Sequence, residues 1–531
     1  MLSKISSAAV SGIDANIIEV ETNVETGFPD FELVGLVSVS IKEARERVQV
    51  AIRNSGISLK PMRITINLSP ADIKKNGTGF DLPIALSLLS AYQLIGITPY
   101  SQNFLKTTLF TGELSLSGKI NRINGILPIA CAALEGGFKN IVVPMENLRE
   151  ASCVSGLTVY GAESLNGLIN YFNSEEASTG NEEIDNNLLE QKYGIKRAIP
   201  EEYCADGEIS ILHDFSEVAG QSAVKRAAEV AAAGMHNILL SGAPGSGKTM
   251  IARCIPYILP PLSFKESLEV SKIYSVCGEF PDNSSLITKR PFRNPHHTIT
   301  ATALTGGGAN PIPGEVSLAD KGILFLDEFP EFSKQSIETL RVPLEERHVC
   351  INRLNGSFTF PADFMLVAAM NPCPCGNYPD RNLCKCSDYE IMRYQSKISR
   401  PILDRIDIYI RVSNPQFSEL TDKNKKGRET TAQIRKRVIA ARKIQLERFK
   451  NDGITCNSAM TVSMLDKYCP LGKTEQEIVK TAFESLKLTA RSYHRLIKVS
   501  RTIADLDASE NIKAEHIYEA ISYHSTIDGN K

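Results

Sequence analysis

Residues Gly242 to Thr249, Gly-Ala-Pro-Gly-Ser-Gly-Lys-Thr, fit the pattern G-x-x-x-x-G-K-[ST]. Glycines at these places let the backbone turn so that successive N–H groups converge on phosphate oxygens. Lys248 then brings a charge toward the terminal phosphates and Thr249 a hydroxyl for Mg²⁺. The chemistry implied is the binding of a nucleoside triphosphate such as ATP. Further along, Ile323-Leu324-Phe325-Leu326 runs into Asp327-Glu328. Asp327 is placed to hold the Mg²⁺ shell, and Glu328, one residue on, to polarise an attacking water. An acidic pair at a strand end is ordinary by itself, but downstream of a phosphate loop it reads as half of a hydrolytic site. A different chemistry is offered by Cys373-Pro374-Cys375 and, eight residues later, Cys384-Lys385-Cys386. Four thiolates in two close pairs can hold a tetrahedral Zn²⁺. The C-x-C spacing is tighter than the usual C-x-x-C knuckle, so free thiols stay open as the alternative.

These groups need elements to aim them. The apolar run Ile238-Leu239-Leu240 leads straight into the loop, and a helix is expected from Lys248 to Tyr257, its positive end toward the phosphates. Residues 323–326 and Met365 to Ala369 read as further short strands. Apolar strands buried in a parallel sheet deliver polar groups at their C-terminal edge, where the phosphate loop also sits. Asn371 follows the second of these strands, where turn chemistry alone would also favour it.

The chain has 531 residues, too many for one core. Lys+Arg number 59 against Asp+Glu 61, so a polyanionic partner would be met by local patches and not by a global field. The longest apolar run, Leu82 to Ile97, is interrupted by Ser and Gln, so no membrane-crossing segment is expected. Lys4 ahead of Ile5 to Ile13 makes a poor signal peptide, and a cytoplasmic location is expected. Of twelve cysteines only four cluster, which suits reduced thiols with one metal knuckle better than a disulfide framework.

In the first 170 residues, strands at Asn16 to Val20 and Arg63 to Leu68 alternate with a helix from Leu82 to Leu94, an α+β pattern. Asn67-Leu68-Ser69-Pro70-Ala71-Asp72 with Gly77-Thr78-Gly79-Phe80-Asp81-Leu82-Pro83, and Gly118 to Pro144, resemble the Lon-protease-like fold. The resemblance puts Asp81 and Leu127 where Lon-type peptidases carry a serine and a lysine, which implies a non-proteolytic relative with an assembly or ligand-binding role. After a polar, acidic stretch comes Asp214-Phe215 with Val218-Ala219-Gly220-Gln221, which resembles the segment beside the adenine in AAA+ ATPases. Asn371 resembles their sensor 1. Ser399-Arg400-Pro401-Ile402-Leu403-Asp404-Arg405-Ile406-Asp407 resembles the element that carries an arginine finger, with Arg405 first choice and Arg400 in reserve. A guanidinium suits charge spread over γ-phosphate oxygens, and a finger acting on a neighbour's nucleotide implies a ring or at least a dimer. Ala490-Arg491-Ser492-Tyr493-His494-Arg495 looks like the sensor-2 helix of the lid, Arg491 being preferred to Arg495.

Together these motifs resemble the ComM/YifB family of magnesium-chelatase-like AAA+ ATPases over nearly the whole chain. The most specific marks are Arg290-Pro291-Phe292-Arg293-Asn294-Pro295-His296-His297-Thr298, Gly306-Gly307-Gly308 and Pro313-Gly314-Glu315-Val316-Ser317-Leu318-Ala319. Two segments resemble pore insertions of that branch. The first, Lys289 to Gly314, holds Arg290, Arg293, His296 and His297; the second, Val349 to Phe360, has an Asn355-Gly356 hairpin turn with Arg353 near its tip. As a set these basic residues could meet a phosphate backbone; singly each could be an ordinary solvated charge. Lys423 to Lys450 carries eleven Lys/Arg and two acidic residues, a solvated helix face or, less favoured, a DNA-facing stripe.

The expected fold class is α/β: a Lon-protease-like α+β domain (1–172), an acidic linker (173–205), an AAA+ P-loop parallel sheet with pore insertions and the cysteine cluster (206–412), and a helical lid (413–531). The resemblance implies an ATP-hydrolysing, hexameric ring motor on single-stranded or branched DNA, a branch-migration helicase. The alternative is a chelatase-like chaperone ATPase driving metal insertion or protein remodelling. Expected site residues are Gly242 to Thr249 (Gly242, Ala243, Pro244, Gly245, Ser246, Gly247, Lys248, Thr249), Asp327, Glu328, Asn371, Arg405 and Arg491, with Mg²⁺ on Thr249 and Asp327 and Zn²⁺ on the four cysteines.

Overall fold

The computed structural model describes residues 1–35, 38–75, 77–174, 186–198, 211–281, 286–353, 356–414 and 428–523. Packing divides the chain into two units. The first holds residues 1–204, 264–287 and 350–359; the second holds 205–263, 288–349 and 360–531.

In the first unit, alternation of apolar and polar residues makes strands with one covered face. Asp14–Glu25 buries Ile18, Val20, Thr22 and Val24, and Arg63–Ser69 buries Ile64, Ile66 and Leu68. These join an eight-stranded mixed sheet whose middle is the long antiparallel hairpin Leu2–Ser11 with Asp14–Glu25. The helix Asp81–Ala91 is apolar nearly all round and is buried against that hairpin.

Two expectations about boundaries change. The acidic stretch taken as a linker contains a helix, Asn186–Tyr193, and a strand, Ile195–Arg197, that pairs antiparallel with Thr158–Ala162 at the sheet edge. Leu189, Tyr193 and Ile195 are buried, and these few apolar anchors outweigh the polar composition around them. Residues 175–185 and 199–205 of that stretch lie outside the described residues. The helix Phe264–Cys277, inside the segment assigned to the ATPase core, instead packs with the first unit on the helix Ile126–Glu135.

The second unit is built on a five-stranded parallel sheet in the order Phe292–Arg293, Ile323–Leu326, Met365–Met370, Ile238–Gly242, Ile408–Val412. Every residue of Ile238–Gly242, Ile323–Leu326 and Met365–Met370 is buried, as a parallel sheet covered on both faces requires. The strand that feeds the phosphate loop lies between its two partners, at the point where the strand order reverses. One apolar core runs from this sheet into the C-terminal helices through Ile434, Val438, Leu496, Ile503 and Ile517, so residue 412 is no packing boundary. Among the described residues no helix is long and apolar enough to cross a membrane.

Candidate functional site

The phosphate loop turns where glycine permits it: Gly245 has φ +77° and Gly247 φ +90°, values that side chains rarely adopt. From Gly247 the helix Lys248–Ile258 begins, so its unpaired N–H groups sit at the loop. Gln221 fastens the loop from outside, its Nε2 donating to Ser246 O at 2.9 Å and to Ser413 O at 3.2 Å. The sequence placed Gln221 beside the nucleotide only by resemblance and missed this tether. Asp214 caps its own turn by accepting from the Ser216 N–H at 2.7 Å and also accepts from the Thr431 N–H at 3.2 Å, tying the entry segment to the helix Thr431–Arg448.

Four expected residues come together. Lys248 Nζ donates to Gly242 O at 2.7 Å, to Ala243 O at 2.9 Å and to Asn371 Oδ1 at 3.2 Å. Thr249 Oγ1 donates to Asp327 Oδ2 at 2.8 Å. Burial lowers the Lys248 ammonium from its ordinary value, and Asp327 opposes that shift. Thr249 and Asp327 thus present a hydroxyl and a carboxylate side by side, hard oxygen donors that fit Mg²⁺. Glu328 is exposed, sits in the left-handed region at φ +52°, and donates its N–H to Asp327 Oδ1 at 3.0 Å. Its carboxylate lies 3.5 Å from His297 Nδ1. The sequence offered His297 only as a family mark and a backbone contact; nothing in the spacing pointed to Glu328.

The two arginines lie elsewhere. Arg405 is buried in its own chain, donating through Nη1 to Pro401 O at 2.5 Å and through Nη2 to Glu345. Arg491 is exposed and reaches the same Glu345 at 3.3 Å. Arg495 is committed to the backbone, donating to Leu403 O at 3.2 Å and to Ile406 O. Arg400 is exposed at the start of the short helix Arg400–Leu403.

The insertions carry less available charge than expected. Arg290 donates to Pro260 O at 2.6 Å, Lys321 O at 2.5 Å and Pro261 O at 3.3 Å, and Arg293 forms a bidentate pair with Glu315 at 2.7 and 2.8 Å. Both act as structural ties, because a guanidinium fork can satisfy several buried oxygens at once. His296 and Arg353 are exposed. The strands His348–Arg353 and Gly356–Pro361 pair as the expected hairpin; Asn355 of its turn lies outside the described residues. On the helix Thr431–Arg448, Arg437 pairs with Glu229 and Glu429 and Arg448 with Asp505, while Lys436 and Lys443 stay exposed.

The four cysteines of the cluster converge, with all four sulfurs within 4.8 Å of one another. In the first unit, Asp81 is buried at the start of its helix, where it accepts from Arg47 at 2.8 and 3.0 Å and from the Leu114 N–H at 3.2 Å. Leu127 is fully buried, its N–H donating to Ser275 Oγ at 3.2 Å. Neither position carries the serine hydroxyl or the lysine amine of a Lon-type peptidase.

Three family profiles match: magnesium chelatase, subunit ChlI, over residues 214–420; subunit ChlI of Mg-chelatase over 20–147; and the ChlI C-terminal region over 428–524. The chain is 36% identical over 527 residues to the competence protein ComM of Haemophilus influenzae, covering 99% of this chain and 98% of that one. To YifB of Salmonella typhimurium it is 37% identical over 528 residues, 99% and 97% of the two chains. The chain belongs to the ComM/YifB family of magnesium-chelatase-like AAA+ ATPases. A further match, 29% identical over 148 residues, is to Lon protease 2 of Bacillus subtilis, a quarter of either chain. Membership makes this an AAA+ ATPase, whose chemistry uses ATP and Mg²⁺.

Proposed function

We propose that the chain assembles into a cytoplasmic ring, a hexamer, that hydrolyses ATP to drive branch migration of DNA in recombination or transformation intermediates. The observation that carries the ATP-hydrolysing part of the reading is the convergence of Lys248, Thr249, Asp327 and Asn371 on one edge of the parallel sheet. The likeness to a competence protein over nearly the full length supports DNA as the substrate. Lys248 exchanges the carbonyls of Gly242 and Ala243 for phosphate oxygens when ATP binds. Thr249 and Asp327 would hold Mg²⁺, which would supply charge neutralisation on the phosphates. Glu328 orients and deprotonates the attacking water, Asn371 positions it, and the neighbour's Arg405 stabilises the charge that spreads over the γ-phosphate. Arg405 must leave Glu345 to do so, and Arg491, held by the same carboxylate, contacts the phosphates in cis. His296 and Arg353 on the two insertions meet the DNA backbone. Cys373, Cys375, Cys384 and Cys386 would hold Zn²⁺.

A second reading, an ATPase subunit for metal insertion into a tetrapyrrole, is favoured by the descriptions of the matched profiles. The test is a four-way junction with one labelled arm, incubated with protein, ATP and Mg²⁺. Branch migration releases labelled duplex with the wild type and not with Glu328→Gln. An active ATPase that leaves the junction intact overturns the DNA reading and favours the second.

A further inference from the structure

We propose that Zn²⁺ at Cys373, Cys375, Cys384 and Cys386 clamps the turn at Gly376 against the phosphate loop, so that nucleotide affinity depends on the bound metal. The inference rests on reading the four thiols as a Zn²⁺ site and adds to it a consequence for the ATP site beside it.

The sulfur positions fit that ion. Cys373 Sγ lies 3.4 Å from Cys375 Sγ and 3.7 Å from Cys384 Sγ, and Cys375 Sγ lies 3.6 Å from Cys384 Sγ. A tetrahedron of thiolates around zinc, each at about 2.3 Å, has edges of about 3.8 Å. A disulfide requires contact at about 2.05 Å, and these cysteines are free. A backbone N–H and an arginine that is itself paired with Asp388 line the cluster. The Tyr378 N–H points at Cys373 Sγ at 3.4 Å, and Arg381 donates to Cys386 O at 3.2 Å while its guanidinium lies 5.1 Å from the Tyr378 ring centroid.

The loop needs a fastening of this kind. Residues 371–387 contain no helix or strand, an unusual length of irregular chain inside a compact unit. The apolar cluster there consists of Cys373, Cys384 and Ile391 with a few half-buried neighbours, too little to order the loop by burial.

Both ends of the Cys373–Cys375 knuckle touch the nucleotide site. Two residues before it, Asn371 accepts from Lys248 Nζ. Just after it, the Gly376 N–H donates to Cys373 O at 3.0 Å and closes a turn at φ +81°. A Cβ at Gly376 would lie 2.3 Å from Pro244 Cδ and 2.9 Å from Pro244 Cγ. The turn therefore backs directly onto the phosphate loop, and a fixed turn holds Pro244 while fixing where Asn371 meets Lys248. Without the metal, only weak thiol contacts and a small apolar cluster hold the knuckle, and the turn moves.

The experiment uses the full chain, purified under reducing conditions. Metal analysis is expected to give one zinc per chain, and a fluorescent, slowly hydrolysed ATP analogue reports Kd in excess Mg²⁺. Stripping zinc with a chelator that spares Mg²⁺ raises Kd about tenfold, and added Zn²⁺ restores it. Gly376→Ala keeps its zinc and weakens nucleotide binding, since the added methyl must displace Pro244. Cys153→Ser keeps both zinc and affinity. Protein without stoichiometric zinc overturns the metal reading. Zinc present, with Kd unchanged both on stripping and in Gly376→Ala, leaves the metal site standing and overturns the clamp.

Discussion

Glu328→Gln separates binding from chemistry at this site. The side chain is exposed at the end of the strand Ile323–Leu326 and touches His297 at 3.5 Å, so the isosteric amide leaves the core intact. Lys248 keeps its bonds to Gly242 O and Ala243 O, and Thr249 its bond to Asp327, because none of them uses the Glu328 side chain. Nucleotide affinity is therefore expected to stay within about twofold of wild type, less than ~0.5 kcal/mol. With Glu328 as the proposed general base, hydrolysis is expected to fall about 10²- to 10⁴-fold, or about 3–5 kcal/mol in the barrier. The assay pairs a Kd from analogue binding with kcat from phosphate release at saturating ATP. A fall in kcat with Kd preserved is the predicted pattern. A variant hydrolysing ATP at the normal rate would refute the assignment of the base, and a variant unable to bind ATP would show that Glu328 shapes the loop.

Two further outcomes are expected. Lys248→Ala should abolish nucleotide binding and Arg405→Ala should bind ATP without turnover; if the finger acts between subunits, mixing the two inactive proteins restores part of the ATPase, whereas a cis finger leaves the mixture dead. Arg47→Ala removes the partner of the buried Asp81 and should cost the first unit about 3 kcal/mol at neutral pH in a urea titration. Burial already raises the Asp81 carboxyl and Arg47 pulls it back in part, so in the variant it rises further. A raised carboxyl contributes most below its unfolded value and loses that contribution as pH rises through the folded one. The cost of Arg47→Ala is thus predicted to shrink toward pH 4, and a cost independent of pH would contradict the buried-charge account.

What the sequence revealed was chemistry carried by neighbours along the chain. The phosphate loop, the strand ending in Asp327-Glu328 and the strand before Asn371 each put function and secondary structure within a few residues, so the sheet and its edge could be read directly. What it hid depends on long-range packing. The partner of Arg405 and Arg491 is Glu345, and the partner of Glu328 is His297, and no periodicity links these positions. Arg290 and Arg293 looked like loop charges and are ties to carbonyls and to Glu315. The helix Phe264–Cys277 belongs with the first unit because Ser275 accepts from the Gly125 and Leu127 N–H groups, a match that neither segment announces alone. The stretch around Leu189 and Ile195 is hidden for the opposite reason, since composition averages away the few buried anchors that fold it.

The most direct measurement of the central claim is steady-state ATP turnover by the wild-type protein at low salt, with and without a four-way DNA junction. The account predicts faster turnover with the junction, a stimulation that fades as salt screens the backbone contacts and that is absent in Glu328→Gln. A turnover rate indifferent to DNA at every salt concentration, with no junction bound, would contradict it.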